Sequence, residues 1–220
     1  GRRAPAAVRR AGAALRPLPQ LPATGTPAAL SPLRFARQAN WVAPGHLLVG
    51  RYPLTDPNQT EGRTLVRRLM TEARVSTFVC FQDEVPPQTE PAKWPAGGVK
   101  LHGRRCLPYA GLAKQFASSR RLHFLHEPMP DLGAMDLDRL TEVVDHLHQR
   151  AINSEVLYLH CWGGRGRSAT VAACLLARLY GLAGTEALAR VQHGYDSRDY
   201  DNCPSPETER QRQLALKFCG

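Results

Sequence analysis

An α/β fold, with a central and mostly parallel sheet flanked by helices, is predicted by short apolar strands that alternate with amphipathic helices. Two segments carry most of that reading. Val75–Gln82 reads VSTFVCFQ, β-branched and aromatic, as a buried strand does. Val156–Leu159 reads VLYL and runs straight into a glycine-rich turn and a strong helix former, Ala169–Leu179, which Gly181 is placed to stop. Between them Leu137, Leu140, Val143, Val144 and Leu147 recur at helical spacing behind Asp136, a residue suited to cap that helix.

The other elements follow in order. Order is expected from about Asn40, with a short apolar run at Leu47–Val49. Leu65, Val66, Leu69 and Met70 predict a helix over residues 60–73, and the prolines and glycines of 83–98 predict a loop. Leu122–Leu125 is a further strand, closed by Pro128 and Pro130. Thr185 is a candidate cap for a helix reaching about Gln192. Ser205-Pro206-Glu207 has the pattern of a cap, a first-turn proline and a first-turn acid for a last helix holding Leu214, Leu216 and Phe218. Residues 39–220 thus read as one domain.

Charge is distributed unevenly. The formal net charge is +10, and no acid precedes Asp56. Arg2, Arg3, Arg9, Arg10, Arg16, Arg34, Arg37 and Arg51 all come before it. Residues 1–38, rich in Ala, Pro and Arg, read as an appendage. It is either a targeting remnant, for which a mitochondrion or plastid is the destination, or a basic arm lying on a large protein or RNA partner, or a disordered tail. In a second acid-free stretch, Pro91–His126, Tyr109 and Phe116 among the basic residues are too few for a nucleic-acid stacking platform. It reads as the flank of a cleft that favours acidic phospho-substrates, or as a solvated surface. Cys80, Cys106, Cys161, Cys174, Cys203 and Cys219 form no C-x-x-C pair, which argues against a zinc ribbon or a thioredoxin motif. Cys80 and Cys174 sit in apolar runs, so free thiols in a reducing intracellular compartment are expected. No apolar run approaches the ~20 residues of a membrane helix.

The chemistry is carried by His160-Cys161-Trp162-Gly163-Gly164-Arg165-Gly166-Arg167-Ser168, placed between a strand and a helix. Such a turn converges backbone N–H groups at a helix N-terminus, and its glycines let the chain curl into a nest for a tetrahedral dianion. Cys161 opens the nest and Arg167 closes it. The nest, the helix dipole and Arg167 all favour the thiolate form of Cys161 as nucleophile. The planar fork of Arg167 suits two phosphate oxygens. Ser168 offers a hydroxyl to the sulfur. A leaving alkoxide also needs a proton, and Asp131, behind Pro130 on a rigid loop, is the candidate donor; Asp136 and Asp138 suit the start of the next helix better.

The Cys-x5-Arg-Ser loop, the preceding His160 and Pro130-Asp131 resemble the protein-tyrosine phosphatase superfamily. Trp41-Val42 with Pro44-Gly45, Tyr52-Pro53, Phe78-Val79-Cys80 and Ser205-Pro206-Glu207-Thr208 are similar to its small atypical dual-specificity group, over about residues 40–218. The resemblance implies the cysteine phosphatase fold and the hydrolysis of phosphate monoesters on phosphorylated proteins. It implies a phosphocysteine at Cys161, phosphate binding by Arg167 and the 162–166 loop, Asp131 as acid and then base, Ser168 assisting breakdown and His160 bracing the loop. It implies neither metal nor cofactor. One departure stands out: the group usually carries threonine where this chain has Ser168. In relatives that act on phosphoinositides, basic loop residues serve extra phosphates; Arg165 occupies such a position, or else packs on an acidic neighbour. The competing class is a phosphatase-like component recruited to a large assembly such as a ribonucleoprotein.

Overall fold

Two-residue alternation sorts the strand side chains onto two faces, and each face meets helices. The computed structural model describes residues 17–24, 27–56, 59–198 and 203–220. A 3-10 turn at Pro27–Leu33 leads into β1 (Arg34–Ala36), β2 (Ala39–Ala43), β3 (Leu47–Arg51) and β4 (Thr55–Asp56). Then come α1 (Gln59–Thr71), β5 (Thr77–Gln82), β6 (Val99–Leu101), β7 (Arg104–Cys106), α2 (Ala110–Gln115) and β8 (His123–Met129). The chain closes with α3 (Leu137–Ile152), β9 (Leu157–Cys161), α4 (Arg167–Tyr180), α5 (Gly184–Asp196) and α6 (Glu209–Cys219).

The main sheet has six strands in the order β1-β2-β3-β9-β5-β8. Its centre, β3, β9, β5 and β8, is parallel, and β1 and β2 add antiparallel strands at one edge. A small sheet of β4, β7 and β6 stands apart. Leu47, Val49, Val79, Phe81, Leu157, Leu159 and Cys161 share one core with α3 to α6; Leu48, Phe78, Cys80 and Tyr158 face the other, with α1 and α2. A sheet covered on both faces explains why β5 and β9 read as unbroken apolar runs. Helix α4 packs against α3, α5, α6 and β9, and every residue from Arg167 to Ala177 is buried. It is the central helix that its all-round apolar composition predicts.

Several boundaries move. Asp136 does cap α3, accepting from the Arg139 N–H at 2.8 Å, and Gly181 ends α4 in the left-handed region. However, α5 is preceded by Ala183 rather than capped by Thr185, and α6 starts three residues later than Ser205 suggests. Thr208 and Gln211 form a reciprocal capping box there. Ser205 is used elsewhere: its hydroxyl donates to the Arg165 carbonyl at 3.0 Å. Strand β8 runs on through Pro128, past the expected stop.

The boundary expected after residue 38 falls inside the β1–β2 hairpin. Leu33 and Phe35 are buried, the Phe35 ring meets Trp41 edge-on at 5.9 Å, and Arg68 donates to the Phe35 carbonyl at 2.7 Å. Further back, Tyr180 donates to the Pro19 carbonyl at 3.0 Å and Arg190 to that of Pro22 at 2.9 Å. Residues 1–16, 25 and 26 lie outside the described residues, and with them most of the targeting or arm reading. Removing residues through Ala36 deletes an edge strand and two large buried apolar side chains. A loss of about 3–6 kcal/mol is expected in urea unfolding, and an unchanged midpoint would mean that these residues do not belong to the folded unit. Among the described residues no helix is long and apolar enough to cross a membrane.

Candidate active site

The carboxyl ends of the parallel strands point to one place, where α/β sheets bind their ligands. Strand β9 ends at Cys161, β3 at Arg51, β5 is followed by Asp83 and Glu84, and β8 by Pro130 and Asp131. A cavity of about 300 Å³ opens there. It brings together Cys161, Trp162, Gly163, Arg165, Gly166, Arg167 and Asp131 from the sequence expectation, and adds Arg51, Leu132, Tyr195, Cys203, Glu207 and Gln211.

Cys161 is 3% exposed, with its sulfur 3.3 Å from the Ser168 hydroxyl in the first turn of α4. Between them the chain curls tightly. Gly164 takes φ +68°, and a Cβ there would overlap the Gly50 backbone, so glycine is required by both conformation and contact. The curl is held from behind by Arg198, a buried arginine that sequence reasoning passed over. Its guanidinium donates to the carbonyls of Gly163 at 3.1 Å, Gly164 at 3.1 Å and Val49 at 2.9 Å, and to Asn40 Oδ1 at 2.5 Å. In a trans peptide the C=O and N–H point opposite ways. Drawing the Gly163 and Gly164 carbonyls outward therefore turns the next two N–H groups away from Arg198. Arg198→Met should leave those buried carbonyls unpaired, costing roughly 2–5 kcal/mol of stability. It should also weaken inorganic phosphate binding by the still-folded protein; unchanged phosphate affinity would separate Arg198 from the loop's function.

Arg167 is 2% exposed, so its charge needs partners. Its Nη1 donates to Glu84 Oε2 at 2.6 Å and to the Met129 carbonyl at 3.1 Å, with Asp83 at 3.7 Å. Its Nη2 lies 3.0 Å from Asp131 Oδ1 as an ion pair, without hydrogen-bond alignment. Burial alone would lower the Arg167 pKa, but Glu84, Cys161 and Asp131 reverse that and raise it. Burial would raise the Glu84 carboxyl, yet the hydrogen bond and charge of Arg167 hold it below the usual carboxylate range. Asp83 is pushed up, by burial and by Glu84 beside it.

Asp131 is 44% exposed at the mouth of the cavity, with His102 Nε2 3.8 Å from its other oxygen. Its loop is tied to the opposite wall by Gln211, whose amide donates to the Gly133 carbonyl at 2.8 Å. Asp136 and Asp138, the rival acids, belong to the start of α3. Arg165 pairs with Glu207 on the far wall. The Trp162 ring tilts against His102 with centroids 5.3 Å apart. His160 lies beneath the loop, 2.7 Å from the Tyr109 hydroxyl. Burial, with His126 and Arg167 nearby, lowers its pKa to about 3, so it is neutral at physiological pH.

Glu84, Arg198 and Gln211 had no mark in the sequence; Glu207 reads there as a first-turn acid of the last helix and as part of Ser205-Pro206-Glu207-Thr208, without its place on the cavity wall. All of them act across long stretches of chain.

A cysteine-bearing turn between a parallel strand and a central helix, on a sheet of this order, matches the cysteine phosphatase fold. The chain is similar to the dual-specificity-phosphatase-like group of the protein-tyrosine phosphatase superfamily. Residues 108–213 match the family described as "Swiss Army Knife protein, DSP-PTPase phosphatase domain". Cyclin-dependent kinase inhibitor 3 of Sus scrofa is 44% identical over 54 residues, and the Rattus norvegicus protein is 43% identical over the same length. Those stretches are 24% of this chain and 26% of each relative, so the chain spans about a quarter of the length of the curated relatives it matches. Among solved structures, Tk-PTP in its active form superposes with a TM-score of 0.54 at 20% identity, covering 82% of this chain and 95% of that one. PTPMT1 in complex with PI(5)P gives 0.56 at 17%, over 83% and 94%. Kinase associated phosphatase gives 0.52 at 22%, over 78% and 84%. At these identities the structures speak for the fold.

Proposed function

We propose that this protein hydrolyses phosphate monoesters, phosphotyrosine and phosphoserine or phosphothreonine among them, through a phosphocysteine at Cys161. The observation that carries the reading is the meeting of Cys161, Arg167 and Asp131 at one cavity, with Ser168 within 3.3 Å of the sulfur. The Cys161 thiolate attacks phosphorus and the ester P–O bond breaks. Asp131, in its acid form, passes its proton to the departing oxygen. The Arg167 fork and the loop N–H groups hold the equatorial oxygens as charge shifts onto them. Water then attacks the phosphocysteine and Asp131 takes its proton. The P–S bond breaks as the Ser168 hydroxyl donates to the leaving sulfur.

Turnover of phosphotyrosine and phosphothreonine peptides by the wild-type protein tests the reading, and Asp131→Asn tests the proton step. With a poorly leaving alkyl phosphate, kcat should fall by roughly 10²–10⁴-fold. With p-nitrophenyl phosphate, whose leaving group needs little protonation, the loss should be much smaller. Equal losses on both would assign Asp131 to something other than acid catalysis.

A further inference from the structure

The cations around the cavity are not equivalent. Arg165 is paired with Glu207, Arg167 with Glu84 and Asp131, and Arg198 is spent on loop carbonyls. Arg51 differs. Among the described residues no hydrogen-bond or ion-pair partner falls to its guanidinium, and it lines the catalytic cavity. Its position is fixed by the sheet. Arg51 is the register partner of Cys161 across the parallel β3–β9 pair. Adjacent strands lie about 4.8 Å apart, and register partners project from the same face of a sheet. From the cavity Arg51 continues into an adjoining crevice, where it meets a second arginine without a partner among the described residues, Arg104, together with Gln38, Thr55 and Glu61. Glu61, the acid of that crevice, accepts from the Gln38 amide at 3.4 Å.

We propose that Arg51, supported by Arg104, is a second anion subsite, and that the substrate carries another phosphate close to the one removed. The proposal rests on the phosphatase reading for which phosphate is cleaved. Arg51 springs from the same sheet level as the nucleophile. A phosphotyrosine would hold its peptide backbone a full ring's length above that level, with flanking acidic residues at the rim. Two phosphates on neighbouring carbons of a small polyol are instead close enough for one to enter the Cys161 loop while the other meets the Arg51 fork. The same chemistry comes from a free polyol phosphate or from a lipid headgroup.

Binding to full-length Cys161→Ser protein, followed by calorimetry, tests the subsite without turnover. The probes are an inositol bisphosphate with vicinal phosphates and an inositol monophosphate. The bisphosphate should bind about tenfold or more tightly, by the worth of one bidentate arginine–phosphate contact, and the preference should shrink with salt. Adding Arg51→Met should bring the ratio close to one, whereas Arg51→Lys and Arg104→Gln should each leave part of it. No preference in the parent protein, or a preference that survives Arg51→Met, overturns the proposal. If Arg51→Met does not fold, the Lys and Gln variants decide, and full preference in both overturns it. Vesicles displaying the same headgroup separate the sources: a soluble preference that vesicles do not strengthen supports a free ligand, and one that vesicles strengthen supports a lipid one. Wild-type turnover of p-nitrophenyl phosphate is measured alongside. Failure there rejects the hydrolytic chemistry, and a lost bisphosphate preference rejects the subsite, so the two readings fail separately.

Discussion

Cys161→Ser protein is expected to lose turnover of an aryl phosphate by roughly 10⁴- to 10⁶-fold while still binding phosphate. A serine hydroxyl at this position is a far weaker nucleophile than a thiolate, so the covalent step stops. Binding has a different origin. In the proposed site the phosphate would be met by backbone N–H groups, by the start of α4 and by Arg167, none of which the substitution removes. Nor should the fold suffer. The side chain is 3% exposed and small, and a hydroxyl can keep the contact that the sulfur makes with the Ser168 hydroxyl at 3.3 Å. Steady-state rates and calorimetric phosphate affinity on the same preparation decide the matter. Substantial residual turnover would remove the phosphocysteine; loss of rate together with affinity would indicate a collapsed loop.

Arg167→Lys should be damaging too, though less so, lowering kcat by roughly 10²–10³-fold although the charge is kept. The guanidinium serves several partners at once. One nitrogen takes Glu84 at 2.6 Å and the Met129 carbonyl at 3.1 Å, while the other faces Asp131 at 3.0 Å, toward the cavity. A lysine ammonium can satisfy the inner partners or turn to the phosphate, but it cannot do both with fixed geometry. The loss should therefore fall on kcat, with a smaller change in affinity for inorganic phosphate. A variant that kept wild-type kcat would show that simple charge, rather than the fork, is what the site requires.

What could be read in the chain beforehand follows from how local each signal is. The 160–168 loop, the Asp136 cap and the strands β5 and β9 are each spelled out within about ten residues. Asp131 stands out because Pro130 precedes it and its rivals have better local uses, and the structure brings it to the cavity mouth. The rest depends on distance. Glu84 is 83 residues from Arg167, and nothing in the loop 83–98 distinguishes a half-buried, paired carboxylate from a solvated one. Arg198, in a polar stretch, reads as surface until the sheet and the loop close around it. The 27–36 segment looked like an appendage because a three-residue edge strand is too short for its periodicity to show. Ser205 has the composition of a helix cap, yet its hydroxyl is bound to Arg165, which no helix rule anticipates.

The grip of Arg198 has a consequence for how the molecule comes apart. One guanidinium joins β2, β3 and the loop through contacts that span 158, 149, 35 and 34 residues of chain. A segment held only by its neighbours can open by itself, at a fraction of the global unfolding free energy. This loop is tied instead to the middle of the sheet, so it cannot fray alone. Its amides are therefore expected to exchange no faster than those of the central strands, and the curl at Gly163 and Gly164 to persist for as long as the domain does.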